Sequence, residues 1–442
     1  SDTEQNILLE NIALFSEILA LIEQEHLDDP DKKELMEGAI KGMLRTLDPY
    51  SQFIPDYIAF RTQNQGNYGG VGMTVGIRDD VITVITPFKG NPAANAGVHS
   101  GDVITHIDGE STAVMSLDDA VDLLRGEPGT SVSVTLRRPK AIRPIEVTIT
   151  REVIRIPSVE KEIIGDNIGY IKINTFLQTT ANDVDNALEE FNQHNIRGVI
   201  LDLRFNPGGL LGSAVDISSD FLEPGQLVVY SKGKGDEIEP FKAMGPAREK
   251  LPLIVLVNGG SASASEIVAG AIKDHGRGLV MGNQTFGKAS VQKVFSLSDS
   301  KAAVKLTVAH YYTPNDVNID KIGIIPDVET AYFSPAEQEM QLKLRNHQKI
   351  NTFVEENGDD VLEKLFVAEH APREDRRASK LLRSYRRLTN SLTDEQIILS
   401  DIGIKYAIAL ETKNIKDEIM HDPQVRAAME QLKVLELFAK KN

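Results

Sequence analysis

Three serines crowd one short stretch, Ser261-Ala-Ser263-Ala-Ser265, with the pair Gly259-Gly260 before them and Glu266 after. Residues 251–257 are an apolar run rich in Val, Ile and Leu, which suits a strand covered on both faces. Beyond Ser263 the apolar positions Ile267, Val268, Ala271 and Ile272 recur at helical spacing. The stretch therefore reads as strand, tight turn and helix, with the serines where backbone N–H groups point outward without helical partners. That is a place for a nucleophile or an anion. Ser263-x-x-Glu266 also fits a capping box, in which a serine only satisfies those N–H groups and Glu266 caps the helix outside any chemistry.

A serine nucleophile needs a base. His275 lies one helix beyond Ser263 and His310 in an apolar strand, and neither has an acidic turn nearby to orient it. Lys288, in Thr285-Phe-Gly-Lys288-Ala-Ser-Val-Gln292, is better placed, between Phe286 and Val291. Gln292 is four residues on, so both side chains share a face whether the segment is helical or extended. A lysine acts as a general base only when neutral, and burial among apolar groups favours that form. Gln292 would hold the amine toward the serine without adding charge. Taken alone, Lys288 reads better as an exposed loop residue.

The 442 residues are 41% hydrophobic and 26% charged, ordinary for a globular chain of two to four domains. A net charge of -17 argues against nucleic-acid binding, whose footprint is basic. With no Cys there is no thiol catalysis, disulfide or cysteine-bound metal, and the pattern calls for neither metal nor cofactor. No run approaches the roughly 18 apolar residues of a membrane span, and no signal segment stands at the start of this chain.

Four segments follow from the chain's changes in character. Residues 1–65 read as helical, one helix from about residue 4 to 47 with a wide apolar stripe that includes Leu8, Ile12, Phe15, Leu19 and Ile22. Residues 66–152 are rich in strands and glycine turns. A dinucleotide loop is excluded there, because Val75 stands where a third glycine is needed after Gly70 and Gly72. Residues 153–333 alternate strands and helices, the pattern of a mostly parallel sheet. Its two glycine loops, 206–209 and 258–263, fall at the carboxyl ends of strands and should face one crevice. Residues 334–442 turn to charged helix, including 337–351, the basic 373–387 and a final helix with Met429, Leu432, Leu435 and Phe438 on one face. The charge runs read as solvated faces, and the apolar face serves oligomerisation or covers the core.

Residues 66–152 resemble a PDZ domain, in the Gly70-Val-Gly72-Met73 loop and in Pro92-Ala-x-x-Ala96-Gly-Val-x-x-Gly101-Asp102. The resemblance implies that a peptide adds as a strand while the N–H groups of Val71, Gly72 and Met73 hold its carboxylate, Gly72 leaving room for the approach. Arg125, at a tight turn, is read either as a regulatory contact to the next domain or as a solvated charge.

From about residue 35 to 330 the chain resembles the carboxyl-terminal processing, or tail-specific, proteases. The motifs are Ser261-Ala-Ser263-Ala-Ser265-Glu266, Lys288 with Gln292, Asp202-Leu-Arg-x-Asn-x-Gly-Gly209, the preceding PDZ-like unit and Gly323-Ile-Ile-Pro-Asp-Val328. One departure is Ala289, where family members often carry Gly. The resemblance implies an α/β, crotonase- and Clp-like protease core with an inserted PDZ-like domain, Ser263 as nucleophile, Lys288 as base, and Ala264 with Gly209 or Gly208 as oxyanion donors. It further implies protein substrates with apolar or unstructured C-termini, homo-oligomers built through the terminal helices, an adaptor or lipoprotein activator, and a bacterial periplasm or cell envelope location. Two rivals stay open: a crotonase-like acyl-CoA enzyme, and a peptide-binding scaffold without constitutive activity.

Overall fold

A computed structural model describes residues 2–78, 81–88, 90–99, 101–138, 143–155, 158–235, 237–245, 247, 249–297, 301–330, 349–372, 375–376, 379–389, 404–410, 412 and 414–439. Its residues fall into two compact units, Ser1–Arg61 with Ser290–Ala309, and Thr62–Ala289 with His310–Asn442.

In the first unit the expected single helix is two, Asp2–Glu25 and Lys32–Arg45. The stretch between them contains Pro30, which disfavours helix at the residue before it. Asp31 then starts the second helix, its carboxylate accepting from the amides of Lys33 and Glu34. Ile12, Leu14, Phe15, Ile18 and Leu21 of the first helix are all exposed. Strand Gln52–Ile54 pairs antiparallel with Ala303, Val304 and Lys305, and strand Ser290–Ser296 joins the same neighbour.

The second unit begins with the PDZ-like segment. Strands Met73–Arg78, Val81–Pro87, Val103–Ile107, Ser131–Arg137 and Ile145–Thr150 form one antiparallel sheet, and helix Leu117–Leu124 starts at a Ser116 cap. Val84, Ile107, Val134 and Leu136 fill its core.

The following sheet runs in the order β1 Val159–Ile164, β2 Ile168–Ile173, β3 Gly198–Asp202, β4 Leu253–Val257, β5 Leu279–Gly282 and β6 Val328–Glu329. Only β1 is antiparallel to its neighbour; the rest are parallel, as the alternating pattern predicted. Every residue of β3 and β4 is buried, which explains why both read as unbroken apolar runs. One face is covered by the last helix, Pro423–Ala439, through Val425, Ala428, Met429 and Leu432 against Ile200, Ile254 and Leu256. At least part of the apolar stripe expected to serve oligomerisation or cover is thus spent on cover; the side chain of Phe438 lies outside the described residues. Most of the helix expected over 337–351 also lies outside them, and helix Lys349–Asn357 is what they contain.

The same helix supplies the far end of a buried charge network. Arg204, just past β3, bonds Asp202 through Nε and Nη2, and through Nη1 reaches Asp422 Oδ1 at 3.0 Å and Gln424 Oε1 at 2.9 Å. Tyr170 donates to Asp202 at 2.7 Å. Burial alone would raise the pKa of Asp202; the charge and hydrogen bonds of Arg204 outweigh it and hold the carboxyl below its ordinary range. Arg204→Met would strip the fully buried Asp202 carboxylate of the cation that offsets its burial, so a loss of roughly 3–5 kcal/mol is expected. Chemical denaturation monitored by circular dichroism measures it, and a loss below about 1 kcal/mol, the range of an exposed pair, would mean the network is solvated.

Candidate active site

The chain leaves β4 through Asn258-Gly-Gly-Ser261 and enters helix Ala264–Asp274 at Ser263. The three serines have different fates. Ser261 donates to the Leu203 carbonyl at 2.8 Å and accepts from the Asn258 amide, and Ser265 donates to the Asn206 carbonyl at 3.0 Å. Both are fully buried. Ser263 alone keeps some exposure, and it takes φ 54°, ψ -112°, a conformation uncommon for any residue but glycine. Such strain persists only where neighbours over-determine it, and a sharp strand-to-helix turn that thrusts a serine outward is one such place.

The second glycine loop meets this turn, as the positions at strand ends required. Asn206 organises the meeting. Its carbonyl accepts from the Ala262 amide at 3.0 Å, its Nδ2 donates to Ile173 O, and its Oδ1 accepts from the Gly208 amide at 2.9 Å. A side chain on Gly208 would lie 2.9 Å from Ser263 Cβ, and one on Gly209 only 2.1 Å from Phe176 O, so neither position tolerates one. The Gly208 N–H is thus committed to Asn206. Among the described residues the amides of Gly209 and Ala264 donate to no protein acceptor.

Glu266 is the residue that sequence reasoning undervalued. Its carboxylate is fully buried and accepts four hydrogen bonds, each from a donor. Oε2 takes the amides of Ser263 and Lys288, both at 2.8 Å. Oε1 takes the Gly287 amide at 2.7 Å and the Thr285 hydroxyl at 2.6 Å. Thr285 Oγ1 in turn accepts from the Ile324 amide, which ties in the Gly323-Ile-Ile-Pro-Asp327 segment. The expected helix cap is present in part, but the same carboxylate also fixes the loop that carries Lys288. Glu266 is not outside the site. A glutamate three residues after a serine signals a cap; nothing local signals that a loop some twenty residues later will fold onto it.

Lys288 is half-buried and has a pKa below the 10.5 of an ordinary lysine: burial lowers it, and the Glu266 charge partly restores it. Ala289 is fully buried, and its carbonyl accepts from the Tyr311 amide at 2.7 Å, so the extra methyl is accommodated. Gln292 belongs to the first unit, on the extended strand Ser290–Ser296. There its Nε2 donates to Thr307 Oγ1 at 2.7 Å, and its Oε1 is buried without a partner among the described residues. His275 sits at the far end of the Ser263 helix and bonds Leu227 O, and His310 is exposed.

In the PDZ-like segment Gly70 closes strand Asn67–Gly70, and Val71 and Gly72 lead into Met73. The carbonyls of Val71 and Gly72 accept from Ala93 and Phe88, leaving their amides without a protein acceptor among the described residues. Gly72 has φ 72°, and a side chain there would meet Asn91 at 2.5 Å, so the backbone and its packing both require glycine. Arg125 caps helix Leu117–Leu124 and lies over the Tyr68 ring, 5.2 Å from its centre, inside this segment.

Known proteins share the segments that carry these residues. Residues 167–330 match peptidase family S41, residues 84–138 a PDZ domain, and residues 1–56 the N-terminal domain of the activating protease CtpB. A carboxy-terminal-processing protease of Bartonella bacilliformis is 38% identical over 335 residues, covering 74% of this chain and 76% of its own length. The chain belongs to the carboxy-terminal processing proteases of family S41. CtpB of Bacillus subtilis, another carboxy-terminal processing protease, is 36% identical over 371 residues, 82% of this chain and 75% of CtpB. A solved photosystem II D1 C-terminal processing protease is 34% identical, over 71% of this chain and 86% of that one, with a TM-score of 0.44. The S41 core with a PDZ domain and helical ends is the fold class expected from the sequence.

Proposed function

We propose that this S41 protease is an endopeptidase that holds apolar protein C-termini in its PDZ loop and cuts upstream of them with a Ser263–Lys288 dyad. The observation that carries this reading is the Glu266 oxygen shared by the amides of Ser263 and Lys288. One rigid point registers nucleophile and base. Neutral Lys288 takes the Ser263 proton as Oγ attacks the scissile carbonyl, then hands it to the leaving amine, and water releases the acyl-enzyme. The amides of Ala264 and Gly209 receive the oxyanion; Gly208 is left out because its N–H already serves Asn206. Gln292, four residues after Lys288 in sequence, is carried in this reading as the residue that orients the lysine. Val71, Gly72 and Met73 take the substrate carboxylate, and Arg125 on Tyr68 beside them is the regulatory candidate. The exposed apolar face of helix Asp2–Glu25 supports homo-oligomers, and an adaptor or lipoprotein activator and an extracytoplasmic site complete the proposal.

The test follows kcat/KM against pH on an unstructured substrate with an apolar tail, with mass spectrometry of quenched reactions. The base must be neutral, so the rate rises with pH through the Lys288 pKa; burial places that limb below the 10.5 of an ordinary lysine. A covalent acyl adduct on the peptide containing Ser263 is expected. A rate that falls as pH rises through this range, or an adduct on another residue, would reject the dyad.

A further inference from the structure

Phe205 stands in the loop between the Arg204 network and the Gly208-Gly209 turn, and two of its properties conflict with an ordinary structural role. Its φ is 60°, a region that a bulky residue rarely enters and that glycine or asparagine occupies more easily. The residue is 70% exposed, so the strain gains little packing in the fold. On one side the ring borders a mainly polar cavity whose lining includes Glu160, Lys172, Asp202 and Glu418. On the other it lies close over Gly260, where an added Cβ would meet Phe205 Cα at 2.9 Å and Cδ1 at 3.3 Å.

The backbone explains how the conformation is held. The Phe205 amide donates to Asn258 Oδ1 at 2.9 Å, while Arg204 before it is fixed by Asp202 and Asp422 and Asn206 after it by Ile173 and Ala262. The ring is thus aimed outward over the turn that leads to Ser263. A second exposed phenylalanine is anchored to the same turn: Phe286, 57% exposed and two residues before Lys288, donates its backbone amide to Ser261 O at 3.0 Å. Two loops that each carry an exposed phenylalanine, one leading to Gly209 and one to Lys288, therefore meet the Gly260-Ser261 turn, the first through the Phe205 ring and the second through the Phe286 backbone.

We infer that Phe205 is a specificity-determining residue, whose ring takes an apolar substrate side chain next to the scissile bond, with Phe286 as its neighbour. The inference rests on the peptidase reading above. Its chemistry is transfer of apolar surface out of water, which fits substrates whose cleavage region is apolar and unstructured.

The full chain is assayed with paired unstructured peptides that end in the same apolar tail and carry either Leu or Ser at the residue preceding the cut. Parent protein, Phe205→Asn and Phe205→Leu are compared. Asparagine accepts the left-handed backbone, so the thermal midpoint of Phe205→Asn is expected at or above that of the parent. Its kcat/KM on the Leu peptide is expected to fall about tenfold, mainly through KM, with less change on the Ser peptide. Phe205→Leu should restore most of the preference. Unchanged selectivity in Phe205→Asn overturns the inference. So does a midpoint several degrees lower, which would make Phe205 a packing residue, or a loss confined to kcat, which would make it a loop-positioning residue. Failure of the parent to cleave either peptide rejects the peptidase reading and this inference with it.

Discussion

Ser263→Ala and Lys288→Ala are each expected to reduce kcat on an apolar-tailed substrate by at least about 10⁴-fold, and by up to the order of 10⁶. Nucleophile and base act as one unit, so the double variant should be no slower than either single one. Lys288→Arg is expected to be as inactive as Lys288→Ala, because a guanidinium does not become neutral in this pH range. Folding responds differently. Lys288 is half-buried with its charged form disfavoured, so Lys288→Met, which replaces the charge by an apolar chain of similar length, should leave the thermal midpoint unchanged or raised. Cleavage surviving in either single variant would remove the dyad from the mechanism.

Glu266→Gln is the second large effect, and it is not the mild isosteric change it resembles. All four neighbours of the Glu266 carboxylate are donors: the amides of Ser263, Gly287 and Lys288 and the hydroxyl of Thr285. A glutamine accepts through one oxygen only and turns an NH2 group toward the other two donors. Each buried donor left without an acceptor costs roughly 1–3 kcal/mol. Glu266→Gln is thus expected to lower stability by about 2–6 kcal/mol for two stranded donors, and to lower kcat/KM by at least about a hundredfold if Glu266 is the common anchor of nucleophile and base. Denaturant unfolding and initial rates on one preparation measure both. Full activity at full stability would mean that Ser263 and Lys288 are registered by something else.

Glu266 also marks the limit of what was legible in advance. Strand, glycine turn and helix around Ser263 followed from residue patterns, because local periodicity and turn chemistry determine them. The pairing of Ser263 with Lys288 came from a family spacing, and it is the surroundings that separate the three serines: Ser261 and Ser265 are consumed by carbonyls of the neighbouring loop. Contacts across some sixty residues of chain leave no trace in local spacing. The choice between Gly208 and Gly209 was closed to sequence reasoning for the same reason, since it depends on where the Asn206 side chain turns. The single helix expected over residues 4–47 failed on a signal that was present, Pro30 followed by Asp31, outweighed in reading by the apolar stripe on either side. Asp422 could not be foreseen. An aspartate before Pro423 reads as a helix start, and its distant partner is Arg204, 218 residues earlier.

That separation bears on how the enzyme is made. Translation releases Ser263, Lys288 and both glycine loops from the ribosome well before Asp422 and Gln424. Until those residues arrive, Arg204 lacks its bonds to Asp422 and Gln424, and the loop that runs through Phe205 to Gly209 is less firmly held at that end. If Ser263 and Lys288 act as proposed, the chain acquires them early and a brace of the Gly208-Gly209 loop late, so a nascent copy that ends between Lys288 and Asp422 is poorly equipped to cut its neighbours.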